Sequence, residues 1–311
     1  MRQSIRGYAD GVIALAATTA GAARGPSLAV LASDLGAVRG VVAGSEDLRR
    51  ALSDPDIARG SRRGVLADLF GGRVDEVTLR LLNYVLDADR AAETVGDFEW
   101  LSERIDAASR NMAPIGDVVL GTKGAEERAD GFATAVLETV QDERGLAEIE
   151  DELFRFSRIV AGSTELRQAL SNRDYPVATR AGLVHDLLSG KASTPGVLLA
   201  TYLTRIGRPR DFEVLLGKVI DRVASESNRR LADVRSAVAL DEEQERNLSR
   251  ALSRLVGRDV EIRVRIDPAV IAGFVATIGD TVVDASARHQ LDLLKERLVM
   301  PEADTTIGER H

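Results

Sequence analysis

One stretch of this chain occurs twice. Val42-Ala43-Gly44-Ser45-Glu46-Asp47-Leu48-Arg49-Arg50-Ala51-Leu52-Ser53 returns as Val160-Ala161-Gly162-Ser163-Thr164-Glu165-Leu166-Arg167-Gln168-Ala169-Leu170-Ser171, nine identities in twelve at an offset of 118. The same offset carries Asp68 and Leu69 onto Asp186 and Leu187, Gly72 onto Gly190, Tyr84 onto Tyr202 and Arg90 onto Arg208. Self-similarity at a fixed spacing is the mark of a repeated structural unit, and it restricts the fold before any residue is read singly. Upstream, Leu28, Leu31, Leu35, Val38 and Val42 map onto Leu146, Ile149, Leu153, Phe156 and Val160, stepping by 3, 4, 3 and 4. That spacing lines one face of an α-helix with core-facing side chains. The register slips only between Tyr8 and Leu28, where the first copy is six residues longer than the second copy's stretch from Phe132 to Leu146.

Further helical runs are expected at 61–70, 76–87 and 97–108, and at 177–188, 195–206 and 211–225, giving five or six helices per copy. Gly71-Gly72, Gly190 and Gly207-Arg208-Pro209 supply the breaks. Beyond Asn228 the period changes: Val260, Ile262, Val264 and Ile266 alternate with Glu261, Arg263 and Arg265, as in a half-buried strand. Residues 232–240, 274–278 and 281–283 are further strand candidates, with Gly279-Asp280 as a turn. Asp241 and Gln244 form a capping-box pattern opening a helix to about residue 256, and 286–299 reads as a closing helix. The expected fold is mainly α, with two tandem five- or six-helix bundles followed by a small α/β domain. The boundaries are a first bundle at 1–110, a linker at 111–126, a second bundle at 127–228, the α/β domain at 229–300 and a tail at 301–311.

Composition narrows the chemistry. The 311 residues carry 41 Lys and Arg against 49 Asp and Glu, a net charge of -8, and none of the three parts is basic, which argues against a nucleic-acid partner. With no cysteine and only His185, His289 and His311, thiolate chemistry is excluded and a transition-metal site has few ligands to draw on, so no cofactor is expected. The apolar stretch 11–23 is bounded by Asp10 and Arg24, short of the about 20 residues a membrane helix needs. The chain is therefore expected to be soluble, or held at a membrane only through a partner. Gly116-Asp117-Val118-Val119-Leu120-Gly121-Thr122-Lys123 approaches a phosphate loop, but its last two residues stand in reversed order, and it reads as linker. Asp280, Asp284 and Ser286 are accounted for by a turn and a helix cap, and His185 beside Asp186 by a helix of the repeat.

The carboxyl part carries a more specific pattern. Val234-Arg235-Ser236-Ala237, Leu240, Gln244, Ile266-Asp267-Pro268-Ala269-Val270-Ile271-Ala272-Gly273-Phe274, Gly279-Asp280-Thr281-Val282-Val283-Asp284-Ala285-Ser286 and Leu291 together resemble the signature of the F-type ATP synthase delta subunit, whose mitochondrial counterpart is the oligomycin-sensitivity conferral protein. Tyr8-Ala9, Leu48-Arg49-Arg50-Ala51-Leu52 and Asn83-Tyr84 with Arg90 resemble that family's amino-terminal bundle, and Phe132-Ala133, Leu166-Arg167-Gln168-Ala169-Leu170, Tyr202 and Arg208 repeat the match. Two departures stand out. Ala285 replaces a usual glycine, and the bundle is present twice where the family usually has one, as in actinobacterial forms.

The resemblance implies a non-catalytic stator piece of the peripheral stalk, on the cytoplasmic face of the membrane, joining the catalytic head to the stalk. It implies two protein partners, the amino-terminal helix of an alpha subunit and the carboxyl end of b-type stalk helices, with no direct insertion in the membrane. The alpha helix is expected in an apolar groove between the first and fifth helices of a bundle: Tyr8, Val12, Leu81, Tyr84 and Val85 in the first copy, Phe132, Val136, Leu199, Tyr202 and Leu203 in the second. The stalk is expected on a surface containing Ile271, Gly273, Phe274 and Ile278, with Gly273 allowing close backbone approach and Ser286 capping the last helix. The stalk helix itself would be a separate subunit or lie in sequence upstream. The competing reading is a tandem helical-repeat adaptor unrelated to ATP synthase.

Overall fold

The computed structural model describes residues 2–18, 27–88, 90–111, 116, 118–140, 142–256, 260–270, 272–278 and 281–286. The chain divides into two compact units, residues 1–140 with 144–224 and residues 141–143 with 225–311. Each bundle in the first unit has six described helices. The first copy runs α1 (Gln3–Thr18), α2 (Leu28–Gly44), α3 (Glu46–Ser53), α4 (Arg59–Phe70), α5 (Glu76–Ala88) and α6 (Thr94–Ser109). The second runs α7 (Thr122–Leu137), α8 (Glu143–Gly162), α9 (Thr164–Ser171), α10 (Val177–Leu188), α11 (Thr194–Ile206) and α12 (Phe212–Arg230). Among the described residues no single helix is long and apolar enough to cross a membrane.

The repeated residues build the same joints in both copies. Leu31, Leu35, Val38 and Val42 of α2 are buried in one core, and Leu146, Ile149, Leu153, Phe156 and Val160 of α8 in the other, as the 3–4 spacing requires. Ser45 and Ser163 cap α3 and α9, accepting from the Leu48 and Leu166 amides at 3.2 and 3.1 Å. Arg49 and Arg167 then reach back to the carbonyls of Ala43 and Ala161, near the carboxyl ends of α2 and α8, where positive charge is favoured. An acid of the second helix caps the fifth. Asp34 accepts from the Asp75 amide and Thr78 hydroxyl at 2.7 and 3.1 Å, and Glu152 from the amide and hydroxyl of Ser193, both at 2.7 Å. These capping contacts explain why polar identities recur along with apolar ones.

Helix α7 begins at Thr122, inside the 111–126 stretch expected as linker. Just before it, Val118 and Leu120 donate to the carbonyls of Arg205 and Ile206 at the end of α11, at 2.9 and 3.2 Å. Thr122 donates to Asp211. Val118, Leu120 and Thr122 of the stretch resembling a phosphate loop thus bridge to the end of one helix and the start of another.

The second unit holds β1 (Leu231–Ser236), α13 (Glu242–Val256), β2 (Glu261–Ile266), β3 (Phe274–Ile278) and β4 (Thr281–Asp284), in the sheet order β2-β1-β3-β4. β1 and β2 are parallel and joined through α13, while β1–β3 and β3–β4 are antiparallel. The capping box expected at the start of α13 is present: the Gln244 amide donates to Asp241 at 2.8 Å, and Gln244 accepts from the Asp241 amide at 3.0 Å. Ala232, Val234, Leu252, Val260, Ala276 and Ile278 form the core. β1 stops at Ser236, short of the expected 240, and Ile266 is 62% exposed because it ends β2 beyond the helix-covered face. Gly279, Asp280, Ile271, nearly all of the closing helix expected at 286–299 and the tail at 301–311 lie outside the described residues.

Candidate functional site

Four of the ten residues expected to line the two grooves, Tyr8, Tyr84, Phe132 and Tyr202, stand at one seam. Within the first unit α1 lies along α7, Ser4 against Gly131, Gly7 against Arg128 and Gly11 against Ala135, so the two helices run in the same direction. Small residues set this approach. A Cβ on Gly7 would collide with the Arg128 carbonyl oxygen, one on Gly131 with the Ser4 carbonyl oxygen, and one on Gly11 would come within 2.7 Å of the Ala135 Cβ. In the register fixed by Tyr8 and Phe132, Gly7 corresponds to Gly131, Ser4 to Arg128, and Gly11 to Ala135. The Gly7–Arg128 and Gly131–Ser4 contacts are therefore images of each other and Gly11–Ala135 is its own image, as in a symmetric dimer joined through equivalent surfaces.

Tyr8, Val12, Leu81 and Val85 are buried in the first bundle's core, with Tyr84 packed half-buried against it, and Phe132, Val136, Leu199, Tyr202 and Leu203 are buried in the second. The rings pair in the same way on both sides: Tyr8 stacks on Tyr84 with centroids 4.0 Å apart, and Phe132 on Tyr202 at 3.7 Å. The first helix of each copy runs beside the first-and-fifth-helix face of the other. Tyr8, Tyr84, Phe132 and Tyr202 thus meet the sister helix at the seam, while Val12, Leu81 and Val85, and Val136, Leu199 and Leu203, pack in the two separate cores.

Polar chemistry distinguishes the two ends. Tyr84 interacts through its hydroxyl with Ser4 of its own copy and Thr134 of the other. Tyr202, its counterpart, meets the same two positions, but these are now Arg128 and Asp10. Tyr202 donates to Asp10 Oδ2 at 2.7 Å, and Arg128 reaches that oxygen through Nη2 at 2.7 Å and Nε at 3.3 Å. Arg128 Nε also donates to the Tyr202 oxygen at 3.1 Å, and Arg104 holds the other Asp10 oxygen at 2.8 Å. Asp10 is fully buried and the Arg128 side chain 6% exposed. Arg222, the counterpart of Arg104, lies over Thr134 Oγ1 at 3.5 Å and pairs with Asp130 at 3.2 Å.

Burial, then Asp10, pushes the Tyr202 phenol well above its usual range; burial, then Glu138, does the same to Tyr8, which donates to Glu138 Oε2 at 2.5 Å. Tyr84 is raised to about 12, by burial first and Asp130 second. Burial opposes the Arg128 charge, but Tyr202 and Asp10 outweigh it, and its pKa rises. Sequence reading missed Ser4, Asp10, Arg104, Arg128 and Thr134. Their signal was present: a lone Asp10 within an apolar helix, and Gly7-x-x-x-Gly11 recurring as Gly131-x-x-x-Ala135.

In the α/β domain, Gly273 has φ +83°, and a Cβ there would collide with the Ala285 carbonyl oxygen. Its close approach is to its own domain, beside the Ala285 amide's bond to Phe274 at 2.9 Å. Phe274 is half-buried and Ile278 buried in β3; Ser286 is buried and its amide donates to Asp284 at 2.9 Å. Ile271, and the helix that Ser286 would cap, lie outside the described residues. His185 and Asp186 are exposed on α10.

A duplicated helical bundle, its copies joined along one buried seam, followed by a small mixed-sheet domain, is the architecture of a helical-repeat protein. The family model for the ATP synthase delta (OSCP) subunit matches residues 6–113, the first bundle, and 129–298, the second bundle with the α/β domain. The chain belongs to that family, and it is a non-catalytic component of the ATP synthase peripheral stalk. Among its relatives are ATP synthase delta subunits of Acidothermus cellulolyticus, 37% identical over 81% of both chains, and Nocardia farcinica, 31% identical over 96% of this chain and 95% of the relative. That of Parafrankia is 31% identical over 93% of this chain and 95% of its own. A chain of the Toxoplasma gondii mitochondrial ATP synthase hexamer aligns with 57% of this chain and 98% of its own at 18% identity and a TM-score of 0.27, too slight a likeness to carry an argument.

Proposed function

We propose that this subunit ties the catalytic head of the ATP synthase to its membrane-anchored stalk on the cytoplasmic face, the helical unit meeting the head and the α/β domain meeting the stalk. The head contact is the amino-terminal helix of an alpha subunit, and its place is the first-and-fifth-helix face that holds Tyr8, Tyr84 and Val85 in one copy and Phe132, Leu199 and Tyr202 in the other. One observation supports this reading above others: each such face already has an α-helix beside it, the sister copy's first helix. A face that accepts one helix against its aromatic pair suits helix-in-groove recognition, and an alpha helix would enter it by displacing the sister helix and opening the α1–α7 seam. The stalk contact is the surface at residues 271–278, Ile271 and Phe274 with the exposed Thr277, shaped from within the domain by Gly273 and the buried Ile278, and it receives the carboxyl ends of b-type helices. Static contacts of this kind rely on area and packing rather than on poised titratable groups.

The test is cross-linking mass spectrometry on the intact detergent-solubilised complex. The expected result is alpha-subunit amino-terminal residues linked next to α1 and α5 or α7 and α11, and stalk residues linked around 271–278. Alpha links confined to α3, α4, α9 or α10, or stalk links confined to the bundles, would contradict the placement.

A further inference from the structure

The two ends of the seam occupy equivalent positions in the repeat but carry different chemistry, and that difference bears on partner choice. At the Tyr202 end the position-4 equivalent is Arg128 and the facing residue is Asp10; at the Tyr84 end the same positions are Ser4 and Thr134. Two first bundles brought together through this surface would set Ser4 and Asp10 at both ends. Asp10 would keep Arg104 but lose the two-pronged Arg128 contact. Two second bundles would set Arg128 and Thr134 at both ends, placing an arginine in a buried site whose facing residue is a neutral hydroxyl. Only the mixed pair sets Arg128 opposite a buried carboxylate, since Asp130 near the Tyr84 end is 54% exposed and already paired with Arg222. The veto is uneven, strong against second-with-second pairing and weaker against first-with-first.

We propose that Asp10 and Arg128 act as a recognition code on this interaction surface, making a first bundle select a second bundle and reject a copy of itself. The Gly7 and Gly131 approaches are common to both halves and would serve any pairing, but two second bundles would also set Ala135 against Ala135 with Cβ atoms about 2.7 Å apart, so shape adds to the veto on that pairing and leaves first-with-first to the charges. A buried ion pair is poorly suited to adding net stability over an apolar contact, but removing one member leaves an uncompensated charge, which is how such pairs enforce register and partner. In an enzyme that carries a stator, the code disfavours the pairing of like bundles from two chains.

Two measurements on the full chain test this. In an unfolding cycle, Asp10→Asn and Arg128→Gln should each raise the unfolding constant about 100-fold, and the double variant should fall at least about tenfold short of their product. Simple multiplication would overturn the proposal. Partner choice is read by mixing two full-length chains, one carrying Asp10→Thr and the other Arg128→Ser, each borrowing the residue used at the neutral end. Alone, each has a mismatched seam. Mixed, the Arg128 bundle of one meets the Asp10 bundle of the other, and light scattering should report a one-to-one dimer formed in the mixture only. Dimers of either chain alone, or a mixture that stays monomeric, would show that the charges do not choose the partner.

Discussion

The two ends of the seam perform the same task with different chemistry. Around Tyr84, two neutral hydroxyls meet a phenol, with the Arg222–Asp130 pair at their more exposed side; around Tyr202, a buried carboxylate and guanidinium meet one, with a second guanidinium on the carboxylate's far side. The aromatic stacks and the glycine approaches are alike at both ends. Duplication thus preserved what the backbone approach demands and altered what the buried polar positions contain. Shape sets how close the helices come, and charge sets how much depends on each partner.

The largest expected contrast follows from that. Arg128→Leu leaves Asp10 with Arg104 and the Tyr202 hydroxyl but without its buried arginine, and should destabilise the chain by about 3–5 kcal/mol, whereas Ser4→Ala, its image at the other end, should cost about 1 kcal/mol. Chemical denaturation of both variants checks the ratio, and equal losses would erase the distinction. Next come the glycines, where the ends should agree: Gly7→Ala and Gly131→Ala each push a methyl into a carbonyl and should each cost about 1–3 kcal/mol. A difference of more than about 1 kcal/mol between them would break the pseudo-symmetry.

Alkaline pH gives a further comparison. The folded pKa values of Tyr8, Tyr84 and Tyr202 lie above the unfolded phenol's value of about 10, so the protonated form is favoured by folding. The stability this contributes is full below pH about 10 and is lost as pH rises through the folded values, about 12 for Tyr84. Phenolate absorbance from these three tyrosines should therefore rise together with loss of helical circular dichroism. A rise that is complete by pH 10 with helicity intact would contradict their burial. The smallest effects concern the caps: Ser45→Ala and Ser163→Ala should each lower stability by about 1 kcal/mol, equally in the two copies, as thermal melts can show.

Much of this architecture could be read from the sequence, for identifiable reasons. The run at 177–188 coincides with α10 and the strand at 274–278 with β3, because both have strong periodicity and clear stops. The repeat located the equivalent helices, since an offset is independent of propensity. The seam was harder to see. Tyr84 and Tyr202 face the same way whether an alpha helix or a sister helix lies beside them, and periodicity identifies an apolar face without naming what covers it. Asp10 and Arg128 are 118 residues apart and belong to unlike positions in the repeat, so no internal comparison pairs them. Gly273 shows the same limit. Its need for close approach was legible, but not that the approach is to Ala285.

The central claim is that the two bundles form one body through α1 and α7. Hydrogen exchange of the free full-length chain tests it most directly, read at the amides of residues 4–16 and 125–137. The account predicts that both helices exchange as slowly as the core of α2 and α8, and that Arg128→Leu speeds exchange in both together. Rapid exchange in α1 and α7 of the unaltered chain, with α2 and α8 still protected, would contradict it.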